Sequence, residues 1–167
     1  MNRLLNLIIV LVFSAPLSAQ DPWTIEAAKI DPNSYYGITV ANGMIGIVSS
    51  PEPFKVKDVV LAGAYDLYGR GRVSNFLRSF NLLNMYLELD GQRISGATVS
   101  NMRQKLDMKH AAFTTTFDIG DKASVSYSYY ALRQLPFSVL MDVSITAKKD
   151  LNMNAASVME ATDALKD

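Results

Sequence analysis

The chain has no cysteine in its 167 residues. Disulfides, cysteine nucleophiles, thiolate zinc sites and iron–sulfur ligation are thereby excluded. Histidine occurs once, at His110. A Ser-His-Asp relay would have to use it, and a histidine-rich metal centre has no second imidazole to draw on. Tryptophan also occurs once, at Trp23. Charge of one sign is missing too: 16 basic residues stand against 16 acidic ones. Nothing supplies the one-sided basic field of a nucleic-acid binder, and no block of like charge marks a solvated tail. No fixed-period repeat or low-complexity tract is present.

The longest apolar stretch, Leu4 to Phe13, is about ten residues, half of the roughly 20 needed to cross a bilayer. It has the make-up of a secretory signal. Arg3 supplies the positive start, Pro16 breaks the helix, and Leu17-Ser18-Ala19 ends on the small residue a signal peptidase favours. The expected mature chain starts at Gln20 after a signal of residues 1–19, with no membrane attachment after cleavage. No cysteine follows the apolar core, so no lipid anchor of the bacterial type is expected. Export without cysteine points to a bacterial periplasm or the cell exterior. About 148 residues remain, enough for one domain-sized core.

The mature chain is patterned in twos. Phe113, Thr115, Phe117 and Ile119 alternate with Thr114, Thr116 and Asp118, and Gly120-Asp121 offers a turn. Val125, Tyr127 and Tyr129 then share one face, and Ser124, Ser126 and Ser128 the other. Phe137 to Thr146 repeats the alternation, and a last strand is expected near Leu151 to Met159. Asn42-Gly43 and Asp90-Gly91 are hairpin signals, and Pro51 and Pro53 close the first hairpin. Asn75 to Leu83 reads as a helical turn or a loop. The expected fold is all-β, an antiparallel sandwich.

One ordered set of motifs is more specific: Asn42-Gly43, Ala64-Tyr65-Asp66, Asp90-Gly91 and Leu106-Asp107-Met108. The set resembles the N-terminal domain of glycoside hydrolase family 65, over residues 23 to 167. That family contains the maltose, trehalose and kojibiose phosphorylases and related α-glucoside hydrolases. The resemblance implies a super-sandwich of the galactose-mutarotase type, incomplete at its C-terminus. It also implies catalytic glutamates in a helical barrel beyond residues 20–167, inversion at an α-glucoside, no cofactor and no metal. Export favours hydrolysis, since phosphorolysis conserves bond energy as a sugar phosphate useful in the cytoplasm.

Residue by residue, little here reads as catalytic. Asp66, Glu88, Asp90, Asp107 and Glu160 are the carboxylates near expected strands, and none has a second acid at a dyad spacing. Glu88 is expected to face solvent, Asp90 to serve its turn, and Asp107 to cap or pair with Arg103 or Lys109. His110 reads as a strand-entry residue, and Trp23 as an anchor for the first strand. The strand tyrosines read as packing residues. The candidate substrate contacts are Tyr68, Arg70 and Arg72 in Tyr68-Gly69-Arg70-Gly71-Arg72. Guanidinium forks there can bind sugar hydroxyls or phosphate, facing the barrel or a second copy in a homodimer. That segment is neither a Walker loop nor a dinucleotide fingerprint. Two functions are in view: a non-catalytic sandwich of an exported α-glucoside enzyme, or an exported carbohydrate-binding or envelope module.

Overall fold

The computed structural model describes residues 21–66, 75–78 and 81–160. Among them run β1 (Thr24–Ala27), β2 (Thr39–Ala41), β3 (Ile45–Ser49), β4 (Val56–Asp66), β5 (Asn75–Arg78), β6 (Asn81–Leu89), β7 (Gln92–Arg93), β8 (Ser100–Asp107), β9 (Ala112–Ile119), β10 (Ala123–Ala131), β11 (Val139–Ala147) and β12 (Met153–Glu160). They form a five-stranded sheet in the order β1-β8-β9-β10-β11, a four-stranded sheet β2-β3-β4-β5, and a three-stranded sheet β12-β6-β7. Every pairing is antiparallel. The expected all-β, sandwich-like architecture is the one observed.

The period of two decides which face goes inward. Along β10, Val125, Tyr127 and Tyr129 are buried, while Ser124, Ser126 and Ser128 lie on the more open face. The buried set joins Phe113, Phe117 and Ile119 of β9, Val40 of β2, Ile45 and Ile47 of β3, Val56 and Val59 of β4, and Leu87 and Leu89 of β6 in one core. Phe54 is its centre and is wholly buried. Its ring stacks on Tyr127 at 5.0 Å and meets the edge of Phe117 at 5.6 Å. Its N–H donates to the Tyr127 hydroxyl at 3.1 Å. Phe54 takes a φ of 60°, which costs a non-glycine residue about 1–3 kcal/mol and persists because the surroundings fix it.

Two polar devices join the sheets. Val56 has its N–H bonded to Asn84 Oδ1 and its carbonyl to Asn81 Nδ2, both at 2.8 Å, so β6 holds the start of β4 through side chains. The Tyr35 hydroxyl donates to Gln104 Oε1 at 2.8 Å and lies 2.7 Å from Ser49 Oγ. Gln104 Nε2 donates to the Ser50 carbonyl at 3.0 Å, which ties β8 to the end of β3. Both are buried groups satisfied by protein partners, as burial requires.

Several local readings shift. Asn75–Arg78 is strand β5 and Asn81 opens strand β6, where a helical turn or loop was expected. The turn between β2 and β3 has Gly43 and Met44 at its centre. Gly43 takes φ 90°, while Asn42 closes the pair and its Oδ1 accepts from the N–H groups of Met44 and Ile45. Trp23 is 55% exposed, so β1 is held by its ladder to β8 and by the Met108 N–H to Trp23 carbonyl bond, and its ring is not buried. At Asp90-Gly91 both residues have positive φ, as that signal demands.

Candidate functional site

Tyr68, Arg70 and Arg72 lie outside the described residues. What is described is their footing: β4 ends and β5 begins with Asp66 opposite Asn75 and Tyr65 opposite Phe76. The side chains of Asp66 and Glu160 also lie outside the described set.

A polar cluster centred on one carboxylate sits on the open face of the five-stranded sheet. Asp118 on β9 receives hydrogen bonds from Asn101 Nδ2 at 2.9 Å, Ser124 Oγ at 2.6 Å and Lys148 Nζ at 3.1 Å. A groove of about 360 Å³ runs over it, lined also by Arg103, Thr116, Ser126 and Ser144. The donors from Asn101, Ser124 and Lys148 hold the Asp118 carboxyl far below the usual carboxylate range. Ser124 faces Asp118 across the β9–β10 hairpin, whereas Asn101 and Lys148 come from 17 and 30 residues away and leave no local signal.

The remaining shifted carboxylates move the same way. Asp90 is lowered by the Asn152 N–H and by Lys122, whose Nζ lies 3.1 Å away. Asp121 is lowered by Lys149 at 2.8 Å. Asp107 is lowered by His110, which gives it both its backbone N–H at 3.0 Å and its ring Nδ1 at 2.8 Å. Asp107 therefore serves as a cap, one of the two roles expected of it, with His110 as its partner, and it ends strand β8. The pair is a local cap, since Asp107 Oδ1 binds the N–H three residues on. Glu88 receives Asn154 Nδ2 at 3.3 Å on the open side of β6.

This arrangement has a chemical consequence. A glycosidic oxygen is protonated by a carboxylic acid kept neutral by burial or by a like charge. Asp90, Asp107, Asp118 and Asp121 are pinned in the ionised form by donors and cations, so at neutral pH they accept hydrogen bonds and have no proton to give. Nor do the described residues contain a group of three or more His, Asp or Glu able to hold a metal ion. The buried hydroxyls serve packing. Burial pushes Tyr127 up to about 12 and raises Tyr35 and Tyr129, so all three stay neutral.

The described residues thus define an antiparallel β-scaffold whose shifted carboxylates are all held in the ionised form. Among curated proteins, the chain is similar to a kojibiose hydrolase of Mucilaginibacter mallensis, with 66% identity over 168 residues. That alignment takes in 100% of this chain and 25% of the relative. It is also similar to a kojibiose hydrolase of Flavobacterium johnsoniae, with 53% identity over 149 residues, 89% of this chain and 22% of that protein. The chain spans about a quarter of the length of the curated relatives it matches, and it matches a fragment of such an enzyme. No family model matches the chain.

Proposed function

We infer that these residues are the non-catalytic N-terminal β-sandwich of an exported hydrolase of glycoside hydrolase family 65, one that acts on an α-glucoside such as kojibiose. The observation that carries the reading is the 66% identity to a kojibiose hydrolase, sustained over the whole chain. The ionised, cation-held carboxylates of the scaffold support it from the other side. In this reading an acid of the helical barrel protonates the leaving oxygen, and a second acid activates water on the opposite face of the sugar. The glycosidic carbon is then inverted, as when two carboxyls stand about 6.5–9.5 Å apart. Tyr68, Arg70 and Arg72 help wall the pocket from the scaffold side. The signal of residues 1–19 sends the protein to the periplasm or beyond the cell.

Two measurements test this reading. The coding sequence after Asp167 is expected to continue into a long helical region, and a stop codon with no further helical region would favour a binding or envelope module instead. The extended protein, given the methyl glycoside of kojibiose so that the non-reducing unit is the one free glucose released, is expected to release β-glucose first, read by the anomeric proton signal. Initial α-glucose would overturn inversion.

A further inference from the structure

The chain holds one Asn-Gly step, Asn42-Gly43, and every other asparagine is followed by a residue with a side chain. In an unstructured peptide this step ages. The glycine nitrogen attacks the asparagine Cγ, ammonia leaves and a succinimide ring forms. Water then opens the ring to aspartate or isoaspartate. Glycine favours the attack because it has no Cβ to hinder it. In the fold the two reacting groups are held differently. Gly43 stands in open space, where an added Cβ would meet nothing within 4 Å, and its N–H has no partner among the described residues. The Asn42 carboxamide is held at both ends. Its Oδ1 accepts from the N–H groups of Met44 at 2.9 Å and Ile45 at 3.0 Å, and its Nδ2 donates to the Leu132 carbonyl at 2.8 Å. Two donors at one end and an acceptor at the other fix which atom is which. The Leu132 bond joins the β2–β3 turn of the four-stranded sheet to the loop after β10 of the five-stranded sheet. The Leu132 N–H donates to the Ser138 carbonyl at 3.1 Å, so the same residue closes that loop ahead of β11.

We propose that Asn42 is a spontaneous deamidation site that the fold keeps closed, and that its conversion unhooks the β2–β3 turn from the loop after β10. Ring closure has to swing Cγ onto the Gly43 nitrogen and expel Nδ2 as ammonia. That breaks the Leu132 bond and draws Oδ1 away from its two donors, so the reaction waits for the turn to open. The product has no amide donor. An aspartate there sets a carboxylate oxygen against the Leu132 carbonyl, acceptor against acceptor, and leaves that half-buried carbonyl without its partner. An isoaspartate also routes the main chain through the former side chain. The turn is then longer between Ala41 and Gly46, which face each other across the hairpin.

Ageing tests the closed site. The 167-residue chain is held at mildly alkaline pH, folded and in guanidinium chloride, and Asn42 is followed by peptide mass mapping, with isoaspartate read by enzymatic methylation. Conversion in the folded chain is expected to be at least about tenfold slower than in the unfolded one. A smaller slowing overturns the closed site. Asn42→Asp then supplies the product directly. Its urea midpoint at neutral pH is expected to fall further below the parent's than that of Asn33→Asp, which adds the same charge at an exposed asparagine. An equal or smaller fall overturns the unhooking. Acid gives a second reading of the same variant. Once protonated, at about pH 3, the new carboxyl can donate to the Leu132 carbonyl as the amide does. The gap in midpoint between Asn42→Asp and the parent is therefore expected to narrow as pH falls through the carboxyl range. A gap that stays constant or widens overturns the Leu132 bond as the link that deamidation cuts.

Discussion

Strands β10 and β11 are neighbours with the same alternation and different fates. On β10 the inward residues Val125, Tyr127 and Tyr129 are 1–3% exposed. On β11 the inward residues Val139 to Ile145 are half-buried. The pattern of two states which face turns inward, and the neighbours decide whether anything covers it. β10 has strands on both sides and Phe54 above it, whereas β11 has β10 alone among the described residues. One polypeptide therefore holds a closed core and an open flank.

Phe54→Ala should hurt most. It removes the ring at the centre of the closed core and is expected to cost about 3–5 kcal/mol in urea unfolding. A loss under about 1 kcal/mol would mean the core is not closed. Gln104→Leu comes next, because it strips partners from the Tyr35 hydroxyl and the Ser50 carbonyl, with an expected loss of about 1–3 kcal/mol. Gly37→Ala belongs in the same range. Its new Cβ would lie 2.5 Å from Val48 Cγ1 and 2.7 Å from the Ser49 carbonyl, an overpacking worth about 1–3 kcal/mol.

A matched pair sharpens the contrast itself. Val125→Ala on β10 is expected to cost about 1.5–3 kcal/mol and Val143→Ala on β11 roughly half of that, in proportion to the area each side chain buries. Equal costs would show that the flank is as well packed as the core. The smallest expected effect concerns pH. In the folded state the hydrogen bonds from Asn101, Ser124 and Lys148 hold the Asp118 carboxyl well below the ordinary aspartate value of about 3.9. The stability it contributes is therefore present above about pH 4 and is lost as pH falls toward the folded value. Asp118→Asn should lower the neutral plateau of a pH–stability curve slightly and flatten its acid limb, so that variant and parent converge as pH falls. An unchanged acid limb would mean the Asn101, Ser124 and Lys148 contacts do not persist in solution.

Local signals carried much of the fold. The alternation from Phe113 to Thr146 and the Asp90-Gly91 turn need only neighbouring residues, and both were legible. Asn42-Gly43 located a hairpin but not the residue pair at its tip, because Asn42 acts through its side chain. β5 and the start of β6 were hidden because asparagine is depleted in strands. Here Asn81 and Asn84 bond to the backbone of Val56, 25 and 28 residues away. The pairing of β6 with β12, and of β1 with β8, is also long-range and leaves no trace in spacing. For the site, the Asp118 cluster as a whole was not legible, because Asn101 and Lys148 reach it from 17 and 30 residues away. The Asp107–His110 cap, three residues across, was within reach of a local reading.

The central claim is that bond cleavage is carried by acids outside this scaffold. Its most direct test is glucose release from kojibiose by the purified 167-residue chain at neutral pH, beside an Asp118→Asn variant. The account predicts no turnover above the uncatalysed background for either. Turnover by the unaltered chain that disappears when Asp118, or another of its own carboxylates, is neutralised would contradict it.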